Sequence, residues 1–367
     1  MKYDKRKILH IAQLNTAGVP YTFMSAERQL GFDSHLVTFH RHPHNYPEDI
    51  CLQLPFFTFS GMNALKKIVN AKHKNSSQNH EFNIETTEIP PKWTPSNSVE
   101  KSLIKFREML WRRKISKFVE DIDLPSFDII QLDGGLGFFR DGRIIKSLKE
   151  QGVTIVCCYT GSDLRLRGVI PSINEVSDLN ITVEFDHINL HPDIHHVFFP
   201  FEWDKMPLKQ EKPKDDKLII GHAPTNRATK GSDIIIPLLY DLQKQFAIEI
   251  LLIENVSYHD ALALKSRCDI FIDQIGNLGY GINSLEALAM EIPACSCLAP
   301  GFEELYPDHP FVIINESNFK HEVARLIRDD QLRLQKGAAG KKWIVKNHDS
   351  IHVVKKIHTL INTHCKK

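Results

Sequence analysis

No run in this 367-residue chain approaches the roughly 20 consecutive apolar residues of a membrane-spanning helix. The N-terminal M-K-Y-D-K-R-K-I-L-H-I-A-Q-L puts basic residues ahead of only a short, strand-like apolar run, so it reads as an unprocessed start rather than a leader. Cysteine is sparse: seven residues lie at 51, 157, 158, 268, 295, 297 and 365, with neither zinc-like paired spacing nor disulfide density. A reducing cytoplasm is the expected setting. Charge of one sign is also lacking, because 46 basic against 45 acidic residues leave a net charge of +1. That removes the global electrostatic case for binding nucleic acid. Histidine is plentiful, at nineteen residues, yet no H-E-x-x-H or comparable spacing occurs. In the His-rich stretch from Phe185 to His196, Pro192 breaks any helix that would bring ligands together, so no metal is expected. Asp186 and His187 of this stretch read instead as candidates to reach a cleft.

What the chain does have is 42% hydrophobic residues, enough for two ordinary domains. Short β-rich runs (Ile8 to Leu14, His35 to Phe39, Phe127 to Leu132, Thr154 to Tyr159) alternate with helical stretches from Val19 to Leu30 and from Ile144 to Gln151. Such alternation predicts a parallel sheet covered by helices. A polar, proline-containing segment follows Pro200 and reads as a linker over 201–215. A second cycle then begins, with strands predicted at 217–222, 248–253 and 270–273 and helices at 232–245 and 259–266. The expected fold is α/β, with two doubly wound Rossmann-like domains, 1–200 and 216–345, facing a central cleft. The helical region from Leu332 to Ile361 is long enough for residues 346–367 to return to the first domain. An insertion near 55–120 interrupts that domain. It contains the polar loop H-K-N-S-S-Q-N-H and a basic helix from Ser98 to Phe118 with Leu103, Phe106 and Leu110 on one face. This helix reads either as core-packed with a solvated basic face or as a peripheral contact with the inner face of a membrane.

Two segments carry candidate chemistry. From Asp273 to Pro293 the chain reads as strand end, glycine-rich turn and helix, with Gly276, Gly279 and Gly281 permitting close backbone approach and Asn283 or Ser284 available as a cap. Amides at such a helix start suit a phosphate, and Glu286 could accept hydrogen bonds from paired ribose hydroxyls. From Gly221 to Asp233, G-H-A-P-T-N-R-A-T-K-G-S-D also joins a strand to a helix. Arg227 can bond two phosphate oxygens at once and Lys230 adds a mobile charge. Together they suit a departing diphosphate, which gains negative charge as its bond to a sugar breaks. In the first half, Gly18 in N-T-A-G-V-P, the D-G-G-L-G turn at 133–137, and Thr160 and Asp163 in C-Y-T-G-S-D end or follow strands on the cleft side. Asp163 reads equally as a helix cap.

Taken together, these segments resemble the GT-B glycosyltransferases, especially glycosyltransferase family 4 (group 1), over nearly the whole chain. The resemblance implies a sugar moving from a nucleotide-sugar donor to the hydroxyl of a glycan or lipid-linked acceptor, with retention, without metal or cofactor, in cell-surface glycan or polysaccharide synthesis. It assigns Arg227 and Lys230 to the diphosphate and Glu286 to the ribose. Gly279, Tyr280, Gly281, Ile282, Asn283 and Ser284 fall near the diphosphate and donor sugar, and Gly18, Thr160, Asp163, Asp186 and His187 on the cleft or acceptor side. Two positions depart from the family pattern. Leu278 stands where the first glutamate of the E-x7-E motif is usual, with Asp273 or Gln274 as substitutes, and Thr160 stands where histidine is common. These departures leave open a catalytically inert nucleotide-sugar-binding partner subunit, or an epimerase or phosphorylase on the same scaffold.

Overall fold

The computed structural model describes residues 5–43, 45–55, 89–211, 213, 217–276 and 278–365. The expected loop at residues 73–80 lies outside them, as does the rest of the insertion over 56–88. The first half forms a seven-stranded sheet from β1 (Lys7–Ala12), β2 (Asp33–Thr38), β3 (Ile50–Cys51), β4 (Ile129–Asp133), β5 (Thr154–Tyr159), β6 (Leu179–Thr182) and β7 (His195–His196). The second forms a five-stranded sheet from β8 (Leu218–His222), β9 (Ile248–Leu252), β10 (Ile270–Gln274), β11 (Ala294–Ser296) and β12 (Val312–Ile313). Strand order is β3-β2-β1-β4-β5-β6-β7 in one and β12-β11-β10-β8-β9 in the other, with every pairing parallel.

The strands are nearly continuous apolar runs because helices cover both faces of each sheet. In β4 and β10 all five residues are buried. One apolar cluster lies on the outer face of the first sheet, around Trp111, Phe138 and Ile155, and another on the second, around Ile235, Leu239 and Phe319. A third continues from one half into the other through Phe198, Phe199, Tyr280, Phe302 and Trp343. The expected final helical region is divided: Asp330–Trp343 runs into a π turn over Ile344–His348, and Asp349 then caps a new helix, Ser350–His364. This last helix lies against the first half, where His358 Nε2 bonds Glu27 at 3.1 Å and its ring stacks on Phe32 at 4.2 Å.

The helix Ser98–Asp121 packs on a different face from the expected one. It buries Glu108, Trp111, Ile115 and Phe118, whereas Phe106 is 52% exposed. Trp111 sets this rotation, because its indole N–H donates to the Pro55 carbonyl at 2.7 Å and its ring meets Phe39 edge-on at 5.7 Å. Among the described residues no helix is long and apolar enough to cross a membrane.

Candidate functional site

Each sheet has one point where chain progression reverses, between β1 and β4 and between β8 and β10. Loops leaving the carboxyl ends of such neighbours diverge and open a crevice. In the second half the diverging loops are the two segments that carry the candidate chemistry.

After β8 the chain makes one helical turn, Arg227–Lys230, capped by the Asn226 side chain, which accepts from the Thr229 N–H at 3.1 Å. Arg227 is half exposed and makes two parallel bonds to Glu254, from Nε at 2.8 Å and from Nη2 at 2.6 Å. Lys230 lies deeper and donates to Asp273 at 2.5 Å and to the Gln274 side-chain oxygen at 2.6 Å. Asp273, next to last in β10, is buried, and its second oxygen accepts from the Gly281 N–H at 2.9 Å and the Ser284 hydroxyl at 2.7 Å. Burial pushes its carboxyl upward, but Lys230 and these two bonds outweigh burial and hold it below the usual value. Asp273 therefore ties the cationic turn to the glycine-rich turn. Gly281 allows the close approach: a Cβ there would stand 3.2 Å from Lys230 Nζ.

The helix Ile282–Ala289 starts at this turn and carries Glu286 in its second turn, 2% exposed. Glu286 pairs with the ammonium of Lys265, from the helix Tyr258–Lys265, and that ammonium also donates to Asn283 Oδ1. The Asn283 amide in turn donates to the Ala223 carbonyl at 2.8 Å. Arg227, Lys230, Glu254, Tyr258, Ile282, Asn283 and Glu286 line a cavity of about 420 Å³, which Ala17 and Tyr46 of the first half complete. That size accommodates a nucleotide-sized ligand. Tyr46 meets Tyr258 edge-on at 5.9 Å across the two halves. Gly18, with φ of +73°, starts the helix Val19–Gln29 and lies beside Tyr46.

Gly279 and Tyr280 fall outside this cavity. With Leu278 they line a small gap between the halves that also receives Glu184. The Tyr280 ring stacks on Phe311 at 4.3 Å. Its hydroxyl donates to Nε2 of His348 at 3.2 Å, since Nδ1 of that ring donates to the Phe199 carbonyl at 3.0 Å. Burial lowers the His348 pKa to about 3, which keeps the ring neutral for this relay.

In the first half a second cavity, of about 300 Å³, sits at the β1/β4 crevice. Gln13, Thr16, Asp133, Gly134, Thr160, Asp163 and Arg167 line it. Asp163 caps its own turn, accepting from the N–H groups of Thr160 (2.9 Å), Gly161 (2.9 Å) and Leu164 (2.7 Å) and from the Thr160 hydroxyl (3.2 Å). Asp186 holds Arg165 through two bonds, and Arg165 also donates to Glu184 at 2.7 Å. Burial pushes the Glu184 carboxyl up to about 7 despite Arg165. His187 lies behind the cavity, fully buried, bonding the Gly161 carbonyl through Nε2 at 3.1 Å and the Thr182 hydroxyl through Nδ1 at 2.8 Å. Burial lowers its pKa to about 4, so the neutral ring supports the Thr160–Asp163 turn from below. Among the described residues no group of three or more His, Cys, Asp or Glu side chains could hold a metal ion.

Sequence reading passed over Tyr46, Glu184, Glu254 and Lys265. Glu254 had a usable signal, since it directly follows a predicted strand on the ligand side of a parallel sheet. Lys265 had none: it ends an ordinary helix, and its pairing with Glu286 exists only through packing.

Neither a protein-family model nor a curated protein matches the sequence. Solved structures match over nearly its whole length. Sucrose-phosphate synthase from Thermosynechococcus elongatus superposes with a TM-score of 0.60 at 9% identity, covering 98% of each chain. TarM gives 0.59 at 11% identity, covering 98% of this chain and 99% of its own. HepE of Anabaena in complex with UDP-glucose gives 0.56 at 11% identity, covering 97% of this chain and 99% of its own. At such identities the likeness is one of fold. Two doubly wound parallel sheets with a ligand-sized cavity between them make this a GT-B architecture.

Proposed function

We propose that the chain is a nucleotide-sugar-dependent glycosyltransferase that moves a sugar to an acceptor hydroxyl. The observation that carries this reading is one cavity lined both by two cations, Arg227 and Lys230, and by a buried carboxylate, Glu286. A nucleoside diphosphate has the matching ends: two phosphates, then a ribose with paired hydroxyls. UDP-glucose is the ligand of HepE, one of the structural neighbours, and is the first donor to test.

In this reading the anomeric C–O bond breaks and its electron pair leaves with the diphosphate, whose growing negative charge Arg227 and Lys230 take up, while the acceptor oxygen bonds the anomeric carbon and its proton passes to the departing diphosphate or to solvent. Both cations now face carboxylates, Glu254 and Asp273, so donor phosphates must share or displace those partners. These side chains supply the charge a metal would otherwise bring, and the site is proposed to be metal-independent. Gly281 to Ser284 would lie along the diphosphate, with Gly279 and Tyr280 in the neighbouring gap toward the donor sugar, and the first-half cavity with Thr160 and Asp163 would receive the acceptor, with Gly18 beside Tyr46 at the donor cavity and Asp186 and His187 bracing the acceptor side. Membership of family 4, retention, a glycan or lipid-linked acceptor and a cytoplasmic site at the membrane's inner face extend the same proposal from the sequence resemblance.

The alternative is a protein that binds nucleotide-sugar without transfer, favoured by the apolar Leu278 beside the donor turn and by the carboxylates already engaging both cations. One assay separates the two. Donor consumption with and without acceptor extracts is expected for the wild type, and Arg227→Ala/Lys230→Ala should abolish it while the far-UV spectrum stays unchanged. Tight donor binding with no consumption under any condition selects the alternative.

A further inference from the structure

Most arginines of this chain with buried neighbours face carboxylates: Arg165 faces Glu184 and Asp186, Arg227 faces Glu254 and Arg28 faces Asp49. Three in the first half do not. Arg140 lies in the loop after β4, Arg167 ends the turn after β5, and Arg107 projects from the helix Ser98–Asp121. Arg140 and Arg167 follow the carboxyl ends of the neighbouring strands β4 and β5, where open parallel sheets take ligands, and Glu108, next to Arg107, accepts from the Arg140 backbone N–H and so brings the helix to the same loop. Arg140 stacks on Trp93 and Arg107 on Trp111, each at 4.5 Å, which fixes the planes of both guanidinium groups. Nε and Nη1 of Arg140 and Nε of Arg107 are buried with no hydrogen-bond partner. Arg167 donates to the carbonyls of Gly134 and Gly168 and lines the 300 Å³ cavity.

Two of the acids nearby, Glu108 and Asp163, are engaged elsewhere. Glu108 uses one oxygen for the Arg140 backbone N–H at 2.8 Å, and its other lies 3.8 Å from Arg143. Asp163, beside Arg167, spends both oxygens on its own turn. Burial, together with the charges of Arg167 and Arg107, pulls the Arg140 pKa down to about 10 against the opposing charges of Glu108 and Glu100. Arg107 and Arg140 therefore keep desolvated donors without acceptors, which destabilises a fold, and such a group calls for a partner that arrives from outside.

We propose that Arg107, Arg140 and Arg167 form a phosphate-binding subsite next to the first-half cavity, so that the acceptor carries a phosphate ester or diphosphate. The proposal rests on the glycosyltransferase reading for the word acceptor, but the anion site stands on its own geometry. Three planar donor forks suit the several oxygens and double charge of a phosphate better than the two oxygens of a carboxylate. The same chemistry occurs in a soluble sugar phosphate and in a lipid headgroup.

The test uses the full chain, with Arg227→Ala/Lys230→Ala as the background so that phosphate has no second cationic site. Calorimetric titration with inorganic phosphate and with glycerol 3-phosphate should give saturable binding and a raised melting temperature. Arg140→Met should weaken binding by at least about tenfold and should not lower the ligand-free melting temperature, because it removes an unpaired buried charge. Arg167→Met provides a second variant with the same expected loss. Placed in the otherwise wild-type chain, Arg140→Met should bind nucleotide-sugar as the wild type does, which separates loss of this subsite from failure of the donor site. Sedimentation with phosphatidylcholine vesicles containing phosphatidic acid distinguishes the sources. Arg140-dependent co-sedimentation assigns a lipid phosphate, and binding of glycerol 3-phosphate alone assigns a soluble one. No binding of any of these probes at millimolar concentration, or binding unchanged in both variants, overturns the proposal.

Discussion

Replacing Lys265 with methionine isolates the interaction on which the ribose end of the cavity depends. Lys265 and Glu286 are both 3% exposed at their side chains, and the lysine also holds Asn283. Methionine keeps most of the stem's bulk against Phe271, over whose ring the ammonium sits at 5.5 Å. What it removes is the countercharge, leaving a nearly buried carboxylate at the cavity wall without a cationic partner. Breaking a buried pair in this way costs about 3–5 kcal/mol. At roughly 2–4 °C per kcal/mol, the melting temperature should fall by on the order of 10 °C. A double variant, Lys265→Met/Glu286→Gln, removes both charges and should recover most of that loss, because a neutral pair in a buried site has little left to desolvate. Urea denaturation of the wild type, both single variants and the double variant gives the cycle. The reasoning fails if Lys265→Met loses less than about 1 kcal/mol, or if the double variant loses the sum of the singles.

The buried cluster of His10, Glu27 and His358 gives a pH prediction. Burial opposes charge on both His10 and Glu27, yet their mutual attraction and their hydrogen bonds raise His10 to about 10 and lower Glu27 to about 2. The His10 contribution is complete below its unfolded value of 6.5 and disappears as pH rises through 10, while that of Glu27 is complete above 4.5 and disappears as pH falls through 2. Stability should thus be greatest between these limits and drop by about 3 kcal/mol from pH 6 to pH 9, and His10→Asn should flatten that alkaline limb in denaturation experiments. Gly281→Ala should weaken nucleotide-sugar binding about tenfold with little effect on melting temperature, because φ of −125° suits alanine while its Cβ crowds Lys230. Glu184→Gln should remove an inflection near pH 7 from the pH dependence of turnover, since that carboxyl sits at about 7 in the gap beside Leu278.

The sheet-forming strands were legible where the apolar run was long. Thr154–Tyr159 has the predicted limits, and the starts or ends of β1, β2, β4, β8, β9 and β10 move by one or two residues. The short strands β3, β6, β7, β11 and β12 were not, because two to four residues carry too little periodicity and pair only when a neighbouring strand is present. The basic helix was rotated for a related reason. Its sequence offers two apolar stripes, and the choice between them is made by Trp111 reaching Pro55, a contact 56 residues away. In the site, residue chemistry at two strand-to-helix turns, with the family resemblance, brought Arg227, Lys230 and Glu286 to notice, and all three line one cavity. The partners that orient them, Glu254, Asp273 and Lys265, come from other elements, and only strand order brings those together.

Calorimetric titration of the wild type and of Glu286→Ala with UDP-glucose, and then with a panel of other nucleotide-sugars, tests the central claim most directly. Saturable binding of at least one nucleotide-sugar is predicted, with roughly 10- to 100-fold loss in the variant, as expected for hydrogen bonds to a charged group. Absence of binding across the panel, or equal affinity in Glu286→Ala, would contradict it.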